Sequence, residues 1–264
     1  MPFASVNNLK THYLQKGNEN NRPLVLLHGF TLDHRMWDDQ LEFFSQNYLV
    51  IIPDARGHGL SEAPQTNYAR TDRVEDLLAL INYFGFDKID LVGLSMGGST
   101  AIGFALKHQV RLNSMTLVDT GAAGFSPGKK FSIIDKLVKE KGLKAGIEKW
   151  IAWTHGWYKD DQEEVREKIE MMMREHSGAV WLDEMRGKYP RTIDLDNVNN
   201  IKIPVLIMCG ENDRIFVPLA KQLHEKIDGS VLKIIANSGH MLNMEQPEVF
   251  NMELNKFLET TTVV

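Results

Sequence analysis

Apolar residues along this chain fall into two alternating patterns. The first is a short unbroken run: within PLVLLHG (23–29), YLVIIPDA (48–55), KIDLV (88–92), LNSMTLVDT (112–120) and IPVLIMCGEND (203–213). Runs of this length between turn residues predict strands buried on both faces. The second has helical spacing, as in MWDDQLEFFSQN (36–47), TDRVEDLLALINYFG (71–85), STAIGFALKH (99–108), PLAKQLHEKI (218–227) and QPEVFNMELNKFLE (246–259). Such alternation predicts an α/β domain with a mostly parallel sheet and helices on both faces. At the start, FASV and KTHYLQ flank Asn7-Asn8, a pair that suits a hairpin turn. VLKIIANSGH (231–240) adds a last strand.

The rhythm stops between about 121 and 195, where no buried strand pattern appears. FSIIDKLVKEK, LKAGIEKWIAWTHG, DQEEVREKIEMMMREH and AVWLDEMRGK read as helices instead. The predicted organisation is one core domain, 1–120 with 196–264, carrying a helical cap, 121–195. No internal repeat or low-complexity linker interrupts it.

Composition narrows the function classes. The 264 residues are 43% hydrophobic, enough for a sizeable core, with a net charge of -5 and no long block of either sign. That pattern predicts no nucleic-acid partner. MPFASVNNLK lacks a basic region followed by an apolar one, so no signal peptide is expected. Runs such as LVLL (24–27) are too short to cross a bilayer. A soluble, cytoplasmic protein without a membrane partner is the expectation. The single cysteine, Cys209, lies in an apolar run and reads as a small core residue.

Candidate chemistry starts at GLSMGG (93–98), which joins a buried strand to a helix. Gly93 and Gly97 stand two residues either side of Ser95, where a side chain would crowd a sharp turn. Such a turn exposes a serine, and the following helix directs free N–H groups at it. The middle glycine of a dinucleotide loop is absent, and no Walker-type lysine follows. A serine nucleophile needs a base and a group to orient that base. Of the nine histidines, His240 follows the last strand directly, at the sheet edge where Ser95 emerges. Asp213, in GENDRIFVP (210–218), lies a few residues past the preceding strand and is the candidate acid. Asp119, at the end of the 112–120 strand, competes with it, and Glu211 is a weaker rival. The order Ser95, Asp213, His240 is that of the α/β-hydrolases.

The resemblance extends over nearly the whole chain. LLHGF (26–30), DARGHGLS (54–61), GLSMGG (93–98), GENDRIFVP (210–218) and SGH (238–240) are similar to the α/β-hydrolase superfamily. Within it the chain most resembles small bacterial carboxylesterases, arylesterases and enol-lactonases. The resemblance implies an oxyanion hole formed by the backbone N–H groups of Met96 and Phe30, and it gives His28 and His58 structural roles. Serine at position 95 sets the chain apart from superfamily members with an aspartate or cysteine nucleophile. No H-E-x-x-H spacing occurs, and neither a metal nor an organic cofactor is expected.

The expected activity is hydrolysis of small apolar or aryl carboxylic esters through an acyl-enzyme. The alternatives are a lactone or carbon–carbon bond hydrolase, a triad-based lyase, and a ligand sensor with little turnover. Four of the five tryptophans fall in the cap, with Trp150, Trp153 and Trp157 at i, i+3, i+7 spacing. They read either as packing between cap and core or as a roof over Ser95, with Trp153 and Trp157 the candidate pocket residues. Charges in the cap alternate in sign, which disfavours highly charged substrates. The oligomeric state is left open.

Overall fold

Alternation inside the buried runs sets the architecture. In the computed structural model, which describes residues 2–122, 130–158, 161–185, 188 and 194–261, the strands are β1 (Phe3–Val6), β2 (Leu9–Lys16), β3 (Pro23–Leu27), β4 (Leu49–Pro53), β5 (Ile89–Leu94), β6 (Leu112–Val118), β7 (Val205–Gly210) and β8 (Val231–Ile235). They form one eight-stranded sheet in the order β1-β2-β4-β3-β5-β6-β7-β8. β1 and β2 form an antiparallel hairpin, and β2 joins β4 antiparallel. The six strands from β4 to β8 pair in parallel. The hairpin turns at Asn7 and Asn8 with φ of 48° and 60°, as a two-residue turn between twisted strands requires.

Helices α1 (Asp38–Phe44), α2 (Arg70–Tyr83), α3 (Met96–His108), α8 (Phe216–Lys226), α9 (Leu242–Glu245) and α10 (Pro247–Thr260) accompany the sheet. Successive residues of each central strand point to opposite faces. Leu24, Leu26, Val92, Leu94 and Met208 meet Phe44 of α1 and Phe250 and Leu254 of α10 on one side. Val25, Leu27, Leu91, Ile207 and Cys209 meet Leu77 of α2, Phe104 of α3 and Leu223 of α8 on the other. The first turn predicted for α1 is instead a 3-10 turn, His34–Trp37, capped by the Asp33 side chain on Arg35 N.

Between β6 and β7 lie α4 (Lys130–Lys141), α5 (Leu143–Thr154), α6 (Glu163–Glu175) and α7 (Ala179–Leu182). The last is much shorter than the helix predicted over 179–188. Segments 123–129 and 189–193, inside the expected cap of 121–195, lie outside the described residues. Ile147, Trp150, Met172, Met173 and Trp181 of these helices share a buried cluster with Leu26, Leu94 and Val118 of the sheet. The insertion thus packs on the sheet face that carries α1 and α10. No helix among the described residues is long and apolar enough to cross a membrane.

Candidate active site

The chain crosses from β5 to α3 at one residue, Ser95, with φ 52° and ψ -108°. A non-glycine residue in this region carries backbone strain of about 1–3 kcal/mol. Three hydrogen bonds hold it there. Ser95 N donates to Val118 O at 2.9 Å, and Ser95 O accepts from Ser99 N at 2.9 Å and from the Thr120 hydroxyl at 2.7 Å. The flanking glycines are sterically required. A Cβ on Gly93 would stand 2.4 Å from the Gly97 carbonyl carbon, and one on Gly97 would stand 2.3 Å from Leu27 O. Helix, turn and β3 approach each other too closely for any side chain.

Asp213 and His240 come together from the loops after β7 and β8. His240 Nδ1 lies 2.5 Å from Asp213 Oδ2, and both side chains are buried. The other carboxylate oxygen, Asp213 Oδ1, accepts from Ile215 N at 3.2 Å and Phe216 N at 3.1 Å, which fixes its orientation. Phe216 stacks on the imidazole at 4.8 Å, and Trp157 meets it edge-on at 4.9 Å. Burial opposes a charge on His240, but the Asp213 carboxylate outweighs it, and the imidazole pKa stands above its ordinary 6.5.

The two rival acids occupy different settings. Glu211 is exposed, its carboxylate accepting from Asn237 N at 3.4 Å. Asp119 is fully buried at the end of β6, with φ 41°. Its Oδ1 accepts from Gly210 N at 2.8 Å, while its Oδ2 has no hydrogen-bond partner among the described residues. One ligand atom from each of Asp119, Asp213 and His240 lies within 4.8 Å of the others. Burial first, and the charge of Asp213 second, push the Asp119 carboxyl up to about 8, against the pull of His240. At neutral pH Asp119 is therefore largely protonated, while Asp213 makes the short bond to the imidazole.

A cavity of about 390 Å³ opens beside the elbow, and Ser95, Met96, Phe30, His240, Trp150 and Trp157 are among its walls. Met96 is the first residue of α3, so its N–H has no acceptor within the helix. Trp153, expected at the pocket with Trp157, is not among the lining residues and lies half-buried beneath Lys149 Nζ at 5.4 Å. Trp153 stands three residues from Trp150 within α5, which ends at Thr154, so its side chain leaves the helix about 60° round from that of Trp150. Trp157, in the 3-10 turn His155–Trp157, keeps its ring 5.5 Å from that of Trp150. Trp150 reaches the cavity and also donates its indole N–H to the Thr31 hydroxyl at 2.9 Å, so it both lines and braces.

Glu245 and the Trp157 carbonyl escape pattern reading. Glu245 accepts from Gly239 N at 2.9 Å and Met241 N at 3.1 Å, clamping the backbone on both sides of His240. His240 N itself donates to Trp157 O at 2.5 Å, tying the loop to the insertion. His28 is occupied at both ring nitrogens, by Gly29 O at 2.8 Å and Ala55 N at 2.9 Å, and braces its loop.

The family model described as Alpha/beta hydrolase family matches residues 24–253. The AB hydrolase superfamily protein YisY of Bacillus subtilis (strain 168) is 30% identical, covering 89% of this chain and 91% of its own. The 3-oxoadipate enol-lactonase 2 of Acinetobacter baylyi (strain ATCC 33305 / BD413 / ADP1) is 27% identical, over 91% and 90% of the two chains. Among solved structures, a thermophilic esterase from Thermogutta terrifontis, malate bound, superposes with a TM-score of 0.89 at 27% identity, covering 99% of each chain.

Proposed function

This chain belongs to the alpha/beta hydrolase family, and we propose that it is a serine hydrolase that cleaves small carboxylic esters through an acyl-enzyme. The observation that carries the reading is the buried His240–Asp213 pair, 2.5 Å apart, at the wall of the cavity that also holds Ser95. With Nδ1 donating to Asp213, His240 has the tautomer whose Nε2 lone pair accepts a proton. The serine hydroxyl attacks the ester carbonyl as His240 removes its proton. Asp213 stabilises the imidazolium that forms. The N–H groups of Met96 and Phe30 receive the oxyanion, each contributing a few kcal/mol to transition-state stabilisation. His240 then protonates the leaving alcohol. In the second half it activates a water that hydrolyses the acyl-enzyme.

In this reading residues 121–195 act as a cap whose Trp150 and Trp157 close the cavity over the acyl group. Similarity to an enol-lactonase supports cyclic esters as a second substrate class for the same machinery. A panel of aryl esters, alkyl esters, lactones and vinylogous diketones tests it. Ester or lactone turnover that disappears in Ser95→Ala is expected. Diketone cleavage alone would move the chain to carbon–carbon bond hydrolysis, and binding without turnover would make it a sensor.

A further inference from the structure

Arg56 and Arg70 stand close enough to Arg73 to lower its basicity, and the three do not share the same compensation. Arg56 forks onto Asp76, with both contacts at 2.6 Å. Arg70 forks onto Asp194, one contact at 2.8 Å. Arg73 forms no ion pair among the described residues. Its Nε donates to the Thr100 hydroxyl at 3.1 Å and its Nη1 to Tyr68 O at 3.2 Å, and Nη2 has no hydrogen bond there. The nearest acid on its own helix, Asp72, is taken up by Ala69 N at 2.8 Å at the start of α2. Burial and the two neighbouring arginines lower the Arg73 pKa, but only to about 10, so it remains a cation at neutral pH.

Arg73 lines the cavity of Ser95 and His240. No aspartate or glutamate is among that cavity's described lining residues. Arg56 lines it too, but already neutralised. His58 lines it as a neutral ring: its Nδ1 donates to Arg56 O at 2.9 Å, and burial, with His176 and His28, holds its pKa well below 6.5. The chamber thus holds one positive charge in excess, in a wall that combines apolar and aromatic side chains with the hydroxyls of Ser95, Ser99 and Thr120. A partly buried cation without an ion-pair partner is costly, and a ligand anion that completes it is correspondingly favoured.

We propose that Arg73 is a carboxylate-binding residue of the substrate site, and that the natural substrate is an ester or lactone carrying a free carboxylate. The inference rests on the hydrolase reading above and names the substrate class within it. One excess charge matches a carboxylate monoanion better than a phosphate dianion. Thr100, which holds Arg73, is five residues beyond Ser95 along α3, about 7 Å of helix rise. The carboxylate therefore sits several bonds from the scissile carbonyl, the spacing of the two ends of a short dicarboxylic monoester. Anchored there, the acid end orients the acyl group across the elbow, beneath the tryptophans that close the cavity.

The test compares 4-nitrophenyl hydrogen glutarate with its methyl ester, which differs by the charge, after subtracting spontaneous hydrolysis. Wild type should prefer the acid at least tenfold in kcat/KM. A charge-assisted hydrogen-bond pair is worth a factor of about 10–150. Arg73→Gln should lower kcat/KM for the acid by about that factor more than for the methyl ester, and Arg73→Lys should keep part of the preference. Calorimetry supplies a reading without turnover: free glutarate should bind wild type at least tenfold more tightly than Arg73→Gln. Equal losses for both esters, or no acid preference in a wild type that turns over the methyl ester, would show Arg73 to be a brace between α2 and α3 and overturn the proposal. Turnover of the methyl ester reports on the hydrolase reading by itself. If neither ester is cleaved that reading falls, whereas glutarate binding still decides the fate of the carboxylate site.

Discussion

Two buried carboxyl groups, Asp213 and Asp119, lie near His240 in opposite roles, so exchanging each for its amide separates them. Asp213→Asn keeps size and shape but removes the charge 2.5 Å from Nδ1. It also offers an N–H where the imidazole needs an acceptor, which favours the wrong tautomer. The same exchange in a serine protease costs about 10⁴ in kcat, roughly 5.5 kcal/mol at 1.36 kcal/mol per decade. The burial of both partners here argues for a loss of that order. Asp119→Asn is a different perturbation. With its pKa near 8 the carboxyl is already neutral at pH 7, and an amide oxygen can still accept from Gly210 N. A loss below about tenfold is expected. The stability change has a definite sign. The folded pKa of Asp119 lies above the unfolded value of about 3.9, so folding retains a proton through that range. Its contribution is full below about pH 4 and fades as pH rises through about 8. Asp119→Asn should remove that decline, so its thermal midpoint gains on wild type between pH 5 and 9. Kinetics with an aryl ester and thermal melts at pH 5, 7 and 9 measure both effects. A greater activity loss in Asp119→Asn than in Asp213→Asn would refute the assignment and make Asp119 the working acid.

Because His240 is basic beyond the ordinary 6.5 and only the neutral ring accepts a proton, kcat/KM should rise with pH on a limb centred above 6.5; a midpoint below 6 would contradict this. Trp157→Ala should shift the ester chain-length profile, each added methylene being worth roughly 1–3 kcal/mol of selectivity in such a pocket, whereas Trp153→Ala should leave the profile in place. A shift of the profile in Trp153→Ala alone would reverse these roles. Glu245→Gln turns one of its two acceptors into a donor facing a backbone N–H, and should lower kcat by about 10- to 100-fold through misplacement of His240, with KM little changed; unchanged kcat would make the clamp dispensable.

The sheet was legible because its strands are buried on both faces: β3, β4 and β5 read as unbroken apolar runs, and the helices between them keep one apolar stripe. The elbow was legible because a glycine two residues either side of a serine has a steric reason that survives any change of partner. Other features depend on contacts distant in sequence. Trp153 and Trp157 share a helical spacing, but which of them faces the cavity depends on how the insertion packs, which the spacing does not encode. The chain offers Asp119 as a competitor to Asp213, since each follows a buried strand. What separates them is burial and the short bond to His240, which arise only when β6, β7 and β8 lie side by side. Glu245 follows His240 by five residues with no motif, and its role depends on the short helix α9 turning it back. Arg73 looks like one more charge on an amphipathic helix until Asp76 and Asp194 are seen to be taken by its neighbours.

The central claim is that Ser95 is the nucleophile, activated by His240. Stopped-flow mixing with an excess of a 4-nitrophenyl ester, followed by mass spectrometry of the acid-quenched protein, measures it most directly. The account predicts a burst approaching one nitrophenol per chain and an acyl mass on the peptide containing Ser95. Ser95→Ala should show neither, with turnover lower by on the order of 10⁶ as for another serine hydrolase. An acyl group on a different residue, or steady hydrolysis at wild-type rate by folded Ser95→Ala, would contradict it.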